Sequence, residues 1–189
     1  MKDMFRGAVL FNSDLSNWDV SSCTAMQRLF MFANVYNRDM SKWDVSRVTS
    51  MRAMFLQAPS FNGDISTWDV SSVVNMGSMF FTAKSFNRDI SKWDVSNVQN
   101  MDQMFYKASS FKQNLCSAAW MQSPAAQSAS EVFTDSSGSI SAMMSSTVCT
   151  AFPSNEELKF AVDECLRSQV TPDDDCPTSR YGRITEWDV

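Results

Sequence analysis

Aspartates recur along this chain at an unvarying interval of 25 residues. One series, called here the Asp19 column, consists of Asp19, Asp44, Asp69 and Asp94. If the copies stack, these like charges lie side by side and must be relieved by hydrogen bonds, cations or bound metal. We interpret each carboxylate as an acceptor for a backbone N–H or for the next serine hydroxyl. The alternative is a calcium ladder, although the close-set Asp and Gly ligands of dedicated calcium loops are missing.

A second column lies two residues before the first and varies in residue type. It is called here the Lys42 column and consists of Asn17, Lys42, Thr67 and Lys92. We predict that both columns share one exposed face, which presents them to a protein or glycan partner. No cofactor is predicted.

Two further polar series occur between the aromatic and apolar positions of each copy. Asp14, Asp39, Asp64 and Asp89, accompanied by Arg38 and Arg88, are interpreted as a solvated turn. Asn12, Asn37, Asn62 and Asn87 are interpreted as an internal amide ladder that satisfies the backbone of that turn.

The elements that must position these columns can be read from the apolar spacing. Met76, Met79, Phe80 and Ala83 fall on one stripe of a short helix. Ile65, Trp68, Val70 and Val73 indicate a short, half-exposed strand. Neither element can bury its apolar face alone, so copies must stack. The expected fold is α/β: a right-handed leucine-rich-repeat-like solenoid with one short parallel strand and one short helix per repeat.

The period also predicts the domain boundaries. Residues 1–116 hold five tandem repeats, of which the first and last are incomplete. The expected Trp-Asp-Val fails after Leu115, and residues 117–153 are predicted to form a Ser/Ala-rich cap and linker. Residues 154–189 are predicted to contain a capping helix, an acidic loop and the start of a second array at Trp187. The chain is therefore expected to be a piece of a longer protein.

The cysteines separate into two kinds. Cys23 takes the place of a core valine and is predicted to be a buried thiol. The other four, which lie where the period fails, are Cys116, Cys149, Cys165 and Cys176. They are predicted to form two disulfides in an oxidising compartment, with 116–149 and 165–176 favoured among three connectivities. Zinc binding is the alternative, although no pair has CxxC spacing.

Composition disfavours several classes of function. The chain has no histidine, and nothing pairs a nucleophile with a base outside the repeats, so an enzyme is not expected. Residues 1–116 carry a net charge of +2 and residues 117–189 one of −7, which leaves no dense basic face for nucleic acid. No apolar run is long enough to span a bilayer.

One repeat carries a family resemblance. Residues 61–80 read FNGDISTWDVSSVVNMGSMF, which closely resembles the repeat of BspA-like, Mycoplasma-lipoprotein-type surface proteins. That resemblance implies leucine-rich-repeat-like modules on secreted or surface-anchored proteins, linked to adhesion and protein binding, with no catalytic residue to transfer. We therefore expect an extracellular or cell-surface interaction module. The alternatives are a purely structural spacer in a large surface protein and a calcium-stabilised array.

Overall fold

The computed structural model describes residues 1–140. Within this range the helices are α1 (Ala118–Met121) and α2 (Pro124–Ser128), and no β-strand occurs. Neither helix is long and apolar enough to cross a membrane. The capping helix, acidic loop and second array predicted for residues 154–189 lie outside the described residues.

The predicted leucine-rich-repeat-like solenoid, with a strand and a helix in every repeat, is wrong. Residues 1–117 contain neither element. Each repeat is instead a succession of hydrogen-bonded turns, and neighbouring repeats meet in parallel bridges of single residues. These bridges join Ala25 to Ser50, Ser50 to Asn75, and Asn75 to Asn100. Each repeat therefore lies beside the next without the regular ladder that defines a sheet.

The segment predicted to be helical, 76–83, contains two residues that a right-handed helix excludes. Ser78 and Thr82 have φ angles of 56° and 53°, in the left-handed region. The intervening Phe80 donates its N–H to the carbonyl of Met104 in the next repeat at 2.9 Å, rather than to a carbonyl one turn earlier. Hydrogen bonds that a helix would keep within itself are here made between repeats.

The same alternation occurs in every repeat. Left-handed residues stand at the third and seventh positions, namely Asp3, Arg28, Ala53, Ser78 and Gln103, then Gly7, Phe32, Gln57, Thr82 and Lys107. Each left-handed non-glycine residue costs about 1–2 kcal/mol. In return the N–H groups at the third, fifth and seventh positions all bond to the next repeat, at a net gain of roughly 1 kcal/mol each. An eight-residue helix is itself marginal, so the inter-repeat bonds decide the conformation.

The segment predicted to be a strand consists of two consecutive turns. The N–H of Trp68 bonds to the carbonyl of Ile65 at 3.2 Å, and that of Val73 bonds to the carbonyl of Val70 at 2.8 Å. Trp68 and Val70 are nonetheless buried, while Thr67 is exposed. The prediction of which side chains face the core is confirmed, and the prediction of extended backbone is wrong.

Equivalent core side chains stack from repeat to repeat. The prediction that the tryptophans are buried is confirmed for Trp43, Trp68 and Trp93 and wrong for Trp18, which is 43% exposed. Phe30 and Phe55 lie 5.6 Å apart between ring centroids, and Trp43 and Trp68 lie 6.5 Å apart, with nearly parallel planes in both pairs. Each interior tryptophan also donates its indole N–H to a carbonyl of the previous repeat. Cys23, predicted to be buried, is a half-buried free thiol packed at the edge of this core.

The stack does not end at Leu115, where the lost Trp-Asp-Val pattern predicted its end. Helix α1 carries Trp120 into the tryptophan column, where its indole N–H donates to the carbonyl of Ile90 at 3.1 Å. Residues 130–136 then form one more set of alternating turns against the fifth repeat. Two extra residues before the tryptophan are accommodated by a single helical turn, so the core continues through the change of sequence.

Candidate binding face

The Asp19 column lies on the exposed side of the repeats, where each carboxylate closes a local turn. Asp19 Oδ1 accepts hydrogen bonds from the backbone N–H and the hydroxyl of Ser21, at 3.0 and 2.7 Å. Asp44 and Asp69 accept the same pair from the serine two residues later, and Asp94 accepts the backbone N–H. The interpretation of these aspartates as acceptors for the turn is confirmed.

These hydrogen bonds outweigh the repulsion within the column. The hydroxyl and N–H of Ser46 lower the pKa of Asp44, while the negative charge of Asp19 in the neighbouring repeat raises it by a smaller amount. Hydrogen bonds from Ser21 and from Ser96 likewise hold the pKa of Asp19 and of Asp94 below the ordinary value. Asp19, Asp44 and Asp94 therefore remain ionised near neutral pH and present negative charge to solvent.

All four residues of the Lys42 column are exposed on the same face. Lys42 and Asp44 flank the buried Trp43, so both charged side chains leave the core on the solvent side. Thr67 is partly engaged, because its hydroxyl donates to the carbonyl of Ser41 at 3.0 Å. The two predicted columns are thus brought together as exposed neighbours, and their role in binding stays a prediction.

A shallow cleft beside the face was not predicted as a site. It is lined by Asp14, Ser16, Asn37, Arg38, Asp39 and Lys42. Arg38 is fixed there because its Nε donates to the carbonyl of Asn12 at 2.8 Å. Hydrogen bonds from Ser16, together with the positive charges of Arg38 and Lys42, lower the pKa of Asp14. A repeated phrase could have revealed it, since Arg-Asp-x-Ser-Lys occurs in the second and fourth repeats only.

The predicted asparagine ladder is confirmed, although its members are exposed or half-buried rather than internal. The side-chain oxygen of Asn12 accepts the N–H of Asn37 at 3.0 Å, and Asn37 accepts that of Asn62 at 2.8 Å. Asn62 and Asn87 continue the series to the N–H of Lys112. These bonds hold the turn that carries Arg38, which lines the cleft together with Asp14.

The geometry gives no support to a calcium ladder. Among residues 1–140 no three acidic, cysteine or histidine side chains converge in a group that could hold a metal ion. In each member of the Asp19 column, one carboxylate oxygen is already occupied by the turn. Calcium takes six to eight oxygen ligands, and the carboxylates of residues 1–140 do not converge to supply a cluster of them.

A half-exposed apolar column on another side was also missed. It runs through the sixth position of successive repeats as Met31, Leu56, Phe81 and Tyr106. The rings of Phe81 and Tyr106 stack with centroids 4.8 Å apart, and the Lys107 amine lies 5.0 Å from the Tyr106 centroid. The sixth position was missed because the predicted helical stripe uses the first, fourth, fifth and eighth positions of the repeat.

Tandem 25-residue units, joined by the same bonds at every junction, define the class of this molecule as a repeat protein. Its sequence matches the family described as "Mycoplasma protein of unknown function, DUF285" over residues 1–65 and 36–145. These matches cover more than half of the chain, and the protein belongs to that family. Comparisons with curated proteins and with solved structures found no match.

Proposed function

We propose that this protein is a non-enzymatic interaction module of the cell surface or extracellular space. In this proposal the Asp19 and Lys42 columns bind a protein or glycan partner, and the Arg38 cleft lies at the border of the contact. The resemblance of residues 61–80 to the repeat of BspA-like surface proteins supports the surface role in this proposal, although residues 1–117 lack the strand-and-helix repeats which that resemblance implied.

The observation that carries the proposal is the contrast between the two sides of one short segment. Trp43 and Val45 are almost fully buried, and the same residue types recur at these positions in the next two repeats. The exposed Lys42, which precedes Trp43, is replaced by Thr67 one repeat later. The core does not require a lysine at this position, because asparagine and threonine occupy it elsewhere in the same fold. A fixed scaffold with a varied, charged surface is the arrangement of a recognition face.

A surface location is supported by the cysteines. Cys23 is free, whereas Cys116 is not a free thiol. Disulfides are characteristic of oxidising compartments, and the pairing of Cys116 with Cys149, and of Cys165 with Cys176, stays a prediction.

The proposal is tested by reversing the two lysines of the binding face. Lys42→Glu with Lys92→Glu removes the positive charges but leaves every core contact in place. We expect loss of binding to a printed glycan array or a panel of purified extracellular matrix proteins, with an unchanged melting temperature. The matched control is Lys84→Glu with Lys112→Glu, which makes the same change of charge at exposed positions elsewhere and should leave binding intact.

Two results would contradict the proposal. If the Lys42 and Lys92 reversals bind as the parent chain does, the face is not the recognition surface. If the parent chain captures no glycan or matrix protein while remaining folded, the spacer explanation is favoured.

A further inference from the structure

The Arg38 cleft combines charged groups of both signs with neutral polar groups. It has a volume of about 340 Å³, which lies at the lower end of the range for small-ligand sites. Two of its side chains are cations and two are carboxylates, while its serine and its asparagine are neutral hydrogen-bonding groups. A cleft of this size and chemistry can hold a polar group as large as one sugar ring.

The two cations of the cleft have no ion-pair partner within the described part of the chain. The ion pairs among residues 1–140 are all made by Asp3, so none includes Arg38 or Lys42. Arg38 is positioned rather than neutralised, because its Nε donates to the carbonyl of Asn12 at 2.8 Å. Its Nη groups and the Lys42 amine therefore remain available to an anion.

The carboxylates of the cleft are partly neutralised by the turns that they close. Asp14 Oδ1 accepts the N–H of Ser16 at 2.8 Å, and Asp39 Oδ1 accepts that of Ser41 at 2.9 Å. Each aspartate has a second oxygen that can accept a hydroxyl group of a ligand. The cleft thus offers cations to a carboxylate and acceptors to hydroxyl groups, which are the two kinds of contact that an acidic sugar requires.

The fourth repeat contains the same arrangement of side chains. Arg88 Nε donates to the carbonyl of Asn62 at 2.8 Å. Hydrogen bonds from Ser66, followed by the positive charge of Arg88, lower the pKa of Asp64, and Lys92 is exposed. The chain therefore contains two equivalent cation pairs, which are Arg38 with Lys42 and Arg88 with Lys92.

The repeat between the two cation pairs carries neither cation. Gly63 and Thr67 stand at the places of the arginine and the lysine. A Cβ at Gly63 would lie 2.2 Å from the carbonyl oxygen of Arg38, so the packing excludes a side chain there. Neighbouring hydrogen-bonded chains lie about 4.8 Å apart, and two repeats therefore separate the cation pairs by roughly 10 Å. This distance is about the length of one disaccharide in an extended polysaccharide.

We propose that the two cation pairs together bind a linear acidic polysaccharide that carries one carboxylate per disaccharide. Successive carboxylates contact successive cation pairs, and hydroxyl groups of the bound sugars donate to the aspartates. The sugar between them passes the third repeat, which presents no charge at the two equivalent places. The inference rests on the proposed function, because it names the class of partner for the same face.

Hyaluronan oligosaccharides test the inference, since each of their disaccharides carries one carboxylate. In calorimetric titrations of the full chain, an octasaccharide should bind at least roughly tenfold more tightly than a disaccharide, because it reaches both cation pairs at once. A neutral chitin oligosaccharide of the same length should bind at least roughly tenfold more weakly than the hyaluronan octasaccharide. This comparison of ligands requires no variant.

Arg38→Gln and Arg88→Gln each remove one cation and keep a donor at the same place. Gln113 occupies the equivalent position of the fifth repeat, where its amide donates to the carbonyl of Asn87 at 3.1 Å, so glutamine fits the fold. Either single variant should bind the octasaccharide roughly tenfold more weakly than the parent does, and the double variant should bind it more weakly still. The control is Arg52→Gln with Lys84→Gln, which removes two charges at exposed positions outside the cleft and should leave binding unchanged.

All variants are first checked for an unchanged melting temperature. The inference is overturned if the double arginine variant binds the octasaccharide as the parent does. It is also overturned if the octasaccharide binds no more tightly than the disaccharide or the chitin chain. In either case the proposed function still stands if Lys42→Glu with Lys92→Glu abolishes the capture of another glycan or of a protein. A folded parent chain that captures no partner overturns both.

Discussion

The interior repeats and the first repeat contain the same tryptophan in different surroundings. Trp68 is 3% exposed, stacks between two equivalent indoles and donates its N–H to the carbonyl of Met40 at 2.8 Å. Trp18, in the first repeat described, is 43% exposed. The difference teaches that the neighbouring repeat, not the repeat itself, supplies most of the burial that stabilises each side chain.

The largest expected effect is the difference in stability between variants that lack the Trp68 ring and variants that lack the Trp18 ring. Trp68→Ala should lower the free energy of unfolding by about 3–5 kcal/mol, because it opens a cavity and removes one of the two hydrogen bonds that the Met40 carbonyl accepts. Trp18→Ala, which removes a half-exposed ring at the end of the stack, should cost less than about 1.5 kcal/mol. Denaturant titrations of both variants give the comparison.

Equal losses of stability in those two variants would show that the end repeat is packed as tightly as the interior. Equal and small losses would show that the indole column does not hold the repeats together.

A second substitution tests whether the tryptophan of α1 stabilises the fold as much as the tryptophans of the interior repeats do. Trp120→Phe keeps an aromatic ring but removes the indole donor to the Ile90 carbonyl, and should cost about 1–3 kcal/mol. Trp93→Phe, which removes the regular bond to Ile65, should cost a similar amount. A near-zero effect for Trp120→Phe alone would place the end of the stack before α1.

A third substitution sharpens the contrast between the observed turns and the predicted helix. Thr82 is β-branched and left-handed, so Thr82→Gly should raise the free energy of unfolding by about 0.5–1 kcal/mol. A helix would instead lose about 1 kcal/mol on gaining a glycine. Thr134→Gly, at a position outside the left-handed set, is the control and should be destabilising. Thermal melts distinguish the two signs.

The smallest effect concerns the exposed face rather than the core. Hydrogen bonds from Ser21 and Ser46 hold the pKa of Asp19 and of Asp44 below the ordinary aspartate value, so the folded state binds protons less readily than the unfolded chain. Their stabilising contribution is complete above that value and is lost as pH falls through the lower, folded values. Ser21→Ala with Ser46→Ala should reduce the slope of unfolding free energy against pH in this acidic window. An unchanged slope would contradict the assigned hydrogen bonds.

The sequence predicted the inside of this protein better than its backbone. Met79, Phe80 and Trp68 were all expected in the core, and all are buried. Their apolar spacing identifies a common face but carries no information on the sign of φ, so the alternation at Ser78 and Thr82 was read as a helix. Left-handed residues other than glycine have little compositional signature, and their cause lies in bonds to the next repeat.

The candidate binding face also has features that the sequence predicts and features that it does not. Local chemistry was predictable, because an aspartate followed two residues later by a serine predicts the turn that Asp19 and Ser21 form. The Arg38 cleft was not predicted, since it depends on Arg38 reaching the carbonyl of Asn12 in the previous repeat. The place of Trp120 in the tryptophan column was missed because the 25-residue period puts the next tryptophan at position 118. The single turn of α1 brings Trp120 to the equivalent place in the structure.

The alternation of handedness also gives the stack an electrical direction. In the peptide units that carry the N–H groups of the third, fifth and seventh positions, the carbonyl faces the preceding repeat and the N–H faces the following one, so the dipoles of this set add as they do along an α-helix. The first repeat is then the negative end and residues 130–136 the positive end. Lys2 and Arg6 stand at the former, and Glu131 and Asp135 at the latter, so each pair of charges stabilises the dipole it adjoins.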